Sequence, residues 1–203
     1  MHRRTLDIIF SAGAVVLAGL LLILGLVLQN QANFAKDYVH NQLEAQKITF
    51  TPAKFLAADE NDPCLKANAG KPLVTGKQAE CYANHYIAVH LKAINDGQTY
   101  SETSTTARAL ATKAATELAA NPNDPQAKAD DAQAKVLQGK VTTLFQGETL
   151  RGLLLTSYGF SIFGERAQQA AWVCFAVALV LFLAAIAGFI HAFTTSKEKT
   201  VHL

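Results

Sequence analysis

Cys64 and Cys81 stand near the two ends of "NDPCLKANAGKPLVTGKQAEC", the polar stretch from Asn61 to Cys81 that carries glycine and proline. The third cysteine of the chain is Cys174. Two cysteines so placed have three chemistries open to them: a disulfide, two buried free thiols, or a shared metal ion. A Cys64–Cys81 bridge would close an 18-residue loop and contribute about 3 kcal/mol by restricting the unfolded chain. A metal pair calls for C-x-x-C spacing and further ligands close by, and the stretch supplies neither. Which chemistry applies depends on the side of a membrane on which the stretch lies, because thiols pair in oxidising compartments.

His85 and His90 are the next groups able to do chemistry. Five residues apart on an α-helix they point about 140° from one another, so they cannot share a metal as an i,i+4 pair can. His40 could join one of them, but a lone histidine on a packed helix is the plainer reading. "GKPLVTGKQ" (Gly70 to Gln78) superficially resembles a phosphate-binding loop. However, five residues separate its glycines instead of four, and Gln78 stands where Ser or Thr should hold magnesium. The chain has no G-x-S-x-G elbow and no C-x-x-C-H for haem. No catalytic, cofactor-binding or metal-ligating residue is therefore assigned, and neither enzyme activity nor a cofactor is expected.

The elements that position these groups are set by two apolar runs. Ile8 to Leu28 is 21 residues without a charge, and Ala170 to Phe193 is 24 residues interrupted by His191. At 1.5 Å per residue each can cross a hydrocarbon core of about 30 Å. The first run is longer than a signal-peptide core and lacks a cleavage site after it, so it reads as a retained anchor. Arg3 and Arg4 before the first run, and Lys197 and Lys199 after the second, place both termini in the cytoplasm. Gln29 to Gln169 then lies outside, at the plasma membrane. It holds 14 basic and 14 acidic residues, so the net charge of +2 belongs to the tails. No clustered basic face is present for nucleic acid. On the outside, Cys64–Cys81 favours the disulfide, while Cys174 within the second span is a small apolar filler. Neither run contains a carboxylate that would suggest an ion path. Ala14 with Ala18, and Ala184 with Gly188, are small-xxx-small pairs for helix packing, to one another, to a second copy or to a larger complex.

Between the runs a mainly α fold is predicted. The helix continues past Leu28 as a stalk through Phe34, Tyr38, Val39 and Leu43. "ITFT" (Ile48 to Thr51) gives one short extended piece stopped by Pro52, and irregular backbone follows through the cysteine loop. Lys77 to Ile94 has helical spacing and ends at "NDGQ", with Gly97 available as a left-handed cap. An alanine-rich hairpin spans residues 103–145, as Thr103–Ala120 and Pro125–Phe145, with Asp124 as N-cap and Pro125 as first helical residue. Alanine gives propensity but little area to bury, so the hairpin is thinly packed or awaits a partner. Residues 146–169 form an amphipathic lead-in to the second run, in the membrane interface or in the core of the outer domain.

"ITFTPAKFLA" (Ile48 to Ala57), "AECYANHYIAVH" (Ala79 to His90) and "DGQTYSE" (Asp96 to Glu102), set between two apolar runs, resemble small two-span actinobacterial membrane proteins. Members of that group often carry the label "aromatic ring-opening dioxygenase". The resemblance implies topology and an actinobacterial envelope location. An extradiol dioxygenase needs two histidines and a carboxylate around iron; no such set is legible, and no catalytic residue is carried over. The expected function is that of a non-enzymatic accessory or scaffold subunit of a larger respiratory or envelope assembly, with membrane lipids and other membrane subunits, or further copies of itself, as partners. The alternative is a ligand-binding or sensory module in which Tyr82, Tyr86 and Tyr100 line a pocket for a lipid or quinone-like molecule.

Overall fold

The computed structural model describes residues 2–57 and 62–194. The expected C-terminal tail beyond Thr194, with Lys197 and Lys199, lies outside the described residues. Among the described residues the chain is mainly helical, in the order α1 (Arg3–Ala45), a 3₁₀ turn (Ala53–Phe55), α2 (Pro63–Asn68), α3 (Gly76–Cys81), a π-helical turn (Tyr82–Ile87), α4 (Ala88–Lys92), a second 3₁₀ turn (Ile94–Gly97), α5 (Tyr100–Ala120) and α6 (Pro125–Thr194). Helices α1 and α6 are each long and apolar enough to cross a membrane. The chain divides into two compact units, Met1–Tyr38 with Ser161–Leu203, and Val39–Phe160.

In the first unit α1 and α6 run antiparallel. Asp7 meets His191 (Oδ2 to Nδ1, 2.9 Å), Ser11 meets Gly188, and Gly25 meets the Phe175 ring. Gln29 donates to Gln168 at 2.8 Å and receives a bond in return. The seam has a seven-residue repeat. Ser11, Ala18, Gly25 and Ala32 are buried on α1, and Gly164, Ala171, Ala178, Ala185 and Ala192 on α6. A strict seven-residue spacing keeps one stripe of each helix facing the other with a left-handed supercoil, and small side chains let the backbones come close. The large apolar side chains point the other way: Phe10, Leu17, Leu24, Val173, Val180 and Phe193 are exposed. Small residues inside and large apolar ones outside is the reverse of a water-soluble helix pair.

The four residues expected to pack the spans are distributed unevenly on this seam. Ala18 is buried on it, Gly188 touches Ser11, and Ala14 is half-buried at its edge. Ala184 is exposed, and its neighbour Ala185 takes the seam position.

The second unit is built around Phe50, Leu65 and Leu73, each no more than 2% exposed, with Val39, Leu43, Leu144 and Leu154 packed in the same cluster. The extended piece pairs once, antiparallel, at Thr49 and Pro72. The Phe50 N–H donates to the Lys71 carbonyl (3.0 Å) and the Leu73 N–H to the Ile48 carbonyl (2.9 Å). Where irregular backbone was expected through the cysteine loop, α2 forms. Asp62 accepts from the Cys64 N–H at 2.7 Å and Pro63 opens the helix, where its missing N–H costs nothing. The helix expected over residues 77–94 is present, but one wide turn interrupts it at Tyr82–Ile87. Its end is left-handed over three residues, Asn95, Asp96 and Gly97.

The alanine-rich hairpin begins at Tyr100, where Thr99 and Glu102 form a reciprocal capping box. Its second arm does not end at Phe145, because no proline follows to break the helix: α6 is 70 residues long in all and runs on through residues 146–169. The arms meet through Ala107, Leu137 and Val141, with Leu110 alongside. They are also tied by Lys113 Nζ to Asp130 Oδ2 at 2.7 Å. The Lys113 ammonium and a hydrogen bond from Gln126 hold the Asp130 carboxyl below its ordinary range, and Asp130 in turn raises Lys113. A shallow, open groove lined by Ala111, Thr112, Ala115, Thr116 and Ala119 runs along α5.

Candidate functional site

The chemistry-bearing groups of the second unit gather where α2 meets α3 and the π-helical turn. Thr75 caps α3 by accepting from the Gln78 N–H, and the Thr75 N–H donates in return to the Gln78 side-chain oxygen. The stretch that superficially resembles a phosphate loop is therefore a capping box, in which the N–H groups of Val74, Thr75 and Gln78 are already bonded to side-chain oxygens. Gln78 also donates to Asn68 (3.2 Å), and Asn68 to the Cys64 carbonyl (2.9 Å). This network fixes α2 against α3 and brings Cys64 to Cys81. The two are joined as a disulfide with their Cα atoms 6.0 Å apart. Cys174 is a free, half-buried thiol on α6.

The wide turn at Tyr82–Ile87 re-aims the residues it carries. His85 Nδ1 lies 2.9 Å from Asp62 Oδ2, with the side chains 40% and 29% exposed. His90 turns to the backbone instead, its Nδ1 2.8 Å from the Tyr86 carbonyl, and its ring packs on Tyr86. His40 pairs with Glu44 within α1. The three histidines are thus assigned to three separate neighbours. Asp62, Cys64 and His85 bring one ligand atom each to within 4.8 Å of one another. With the disulfide closed, the Cys64 sulfur is bonded to Cys81 and offers no thiolate, which leaves an Asp–His hydrogen bond.

Two of the three tyrosines expected around a pocket come together. Tyr82 and Tyr86 stack at 4.6 Å between centroids, and the Phe50 ring closes on Tyr82 edge-on at 5.3 Å. Tyr100 packs instead against Phe145, at 5.8 Å. The Tyr82 and Tyr86 rings fill space against each other and Phe50.

A polar chain that sequence reading missed runs on from the same turn. Asn84 donates to Glu80 (2.9 Å) and accepts from Arg151 of α6 (3.2 Å), which also pairs with Glu148. The Arg151 Nε is buried without a hydrogen-bond partner among the described residues. The wide turn, which an α-helical wheel does not represent, is what places Asn84 there.

Comparisons of the chain with protein families, with curated proteins and with solved structures find no match.

Proposed function

We propose that this chain is a two-span membrane protein whose residues 29–169 lie outside the cytoplasm. In this reading it acts without catalysis, as an accessory or scaffold subunit of a larger respiratory or cell-envelope assembly. The observation that carries the reading is the reversed helix pair, with Ser, Ala and Gly in the seam and Phe, Leu and Val on the outer faces. In water those outer faces would be an extended apolar patch; in lipid they match their solvent, and close packing of small residues drives association. Arg3 and Arg4 at the start of α1 support cytoplasmic termini, and the disulfide suits an oxidising outer compartment. An actinobacterial envelope location accords with the resemblance of residues 48–102.

The scaffold role rests on surfaces left open. Val136, Phe145 and Leu153 of α6 are each more than half exposed, and the small-residue groove of α5 is open among the described residues. The stacked tyrosines favour a packed outer unit over a ligand-binding one. The test is purification of the tagged chain from its native membrane in mild detergent, with mass spectrometry of what accompanies it. Stoichiometric membrane subunits are expected; a chain that emerges alone and stable contradicts the scaffold reading.

A further inference from the structure

We propose that the Cys64–Cys81 disulfide, when opened, becomes half of a four-ligand site for a thiophilic divalent ion such as Zn²⁺, completed by His85 Nδ1 and Asp62. The inference does not depend on the scaffold reading. Cys64, His85 and Asp62 already present sulfur, imidazole nitrogen and carboxylate oxygen within 4.8 Å of one another, and Cys81 is bonded to the first of them. Two thiolates on tetrahedral zinc, each at about 2.3 Å, stand roughly 3.8 Å apart. Cysteines with Cα atoms 6.0 Å apart reach that separation by side-chain rotation. The remaining pair is held in place: Asp62 is fixed as the N-cap of α2 through one oxygen, so the other is free to exchange His85 for the ion. Cys64, Asp62 and His85 are all partly exposed, which gives reductant and ion a way in.

Opening requires a dithiol reductant, by class a thiol–disulfide oxidoreductase. Its thiolate attacks the more accessible Cys64 sulfur, the S–S bond breaks, and Cys81 leaves as the thiolate. The second thiol of the reductant then releases Cys64 and takes the disulfide with it, so two electrons pass to this chain. Binding of Zn²⁺ replaces the two thiol protons, which go to solvent. The same four residues would thus hold a covalent clasp under oxidising conditions and a metal clasp under reducing ones.

The test uses the purified full chain in detergent, oxidised or reduced with a phosphine, titrated with Co²⁺ and then Zn²⁺. The reduced chain is expected to take up one Co²⁺ with sulfur-to-cobalt charge-transfer bands and tetrahedral d–d bands, both removed by Zn²⁺, while the oxidised chain shows neither. His85→Ala and Asp62→Asn are expected to weaken Zn²⁺ binding by at least about tenfold; asparagine keeps the cap, so that loss reports the carboxylate. Zn²⁺ is also expected to raise the melting temperature of the reduced wild type and not of reduced His85→Ala. Absence of the charge-transfer bands in the reduced chain overturns the proposal. So does Zn²⁺ binding of equal strength in the wild type and His85→Ala, whether or not the reduced chain stays folded.

Discussion

Asn-Asp-Pro occurs twice, at 61–63 and 123–125, and in both places the aspartate caps a helix that proline opens. The second triplet was legible because a long alanine-rich pattern follows it. The first was not, because α2 is only six residues long and Gly70 and Pro72 soon follow it. The disulfide pins this short helix to α3. Replacing Cys81 with serine is expected to remove about 3 kcal/mol, read as roughly hundredfold faster amide exchange across α2 and α3, with little change in α5. The Lys113–Asp130 pair has a pH signature. Asp130 titrates below its ordinary 3.8 when folded, so its contribution is present above that value and lost as pH falls through the folded one. Lys113 titrates above its ordinary 10.5, so its share is present below that value and lost as pH rises through the folded one. Protection of the α5–α6 hairpin amides, taken relative to the intrinsic exchange rate at each pH, is therefore expected to be greatest in the broad range between. Lys113→Met should lower that protection there but not at acid pH, where Asp130 is protonated in both chains.

At the scale of elements, the two apolar runs and the cap at Asp124 were legible, whereas lengths and phases were not. Both apolar runs prove to be parts of longer helices, α1 and α6. The four glycines from Gly147 to Gly164 do not interrupt α6, since a glycine inside a helix costs only about 1 kcal/mol and packing offsets it. Reading i,i+4 pairs brought Ala184 forward; the seam instead repeats every seven residues, and that period selects Ala185. The π-helical turn has no composition signal in "YANHYI", yet it decides what His85 and Asn84 touch. The seam makes its own prediction. A Cβ at Gly164 would stand 2.8 Å from that of Ala35, whereas Gly13 has open space around it. In a Cys174→Ser background carrying Ser11→Cys and Gly188→Cys, oxidative cross-linking should be fast. Gly164→Leu is expected to slow it about tenfold through overpacking, and Gly13→Leu to leave it unchanged.

For the whole molecule, charge and apolarity act together. The balanced residues 29–169 carry no net charge, so the excess of two positive charges falls to the tails, where it would hold the termini on the cytoplasmic side. In the proposed arrangement the Val39–Phe160 unit meets water around its hairpin, and the reversed helix pair meets lipid around its outer faces. Both the scaffold role and the placement of the disulfide rest on this division. It is tested most directly by labelling intact cells with a membrane-impermeant maleimide, using one introduced free cysteine at a time in a Cys174→Ser chain whose Cys64 and Cys81 stay joined. Val136→Cys, on the exposed face of α6, is expected to react in intact cells, and Thr5→Cys, at the start of α1, only after the membrane is permeabilised. Reaction of Thr5→Cys in intact cells together with protection of Val136→Cys, or equal reaction of both, would contradict the account.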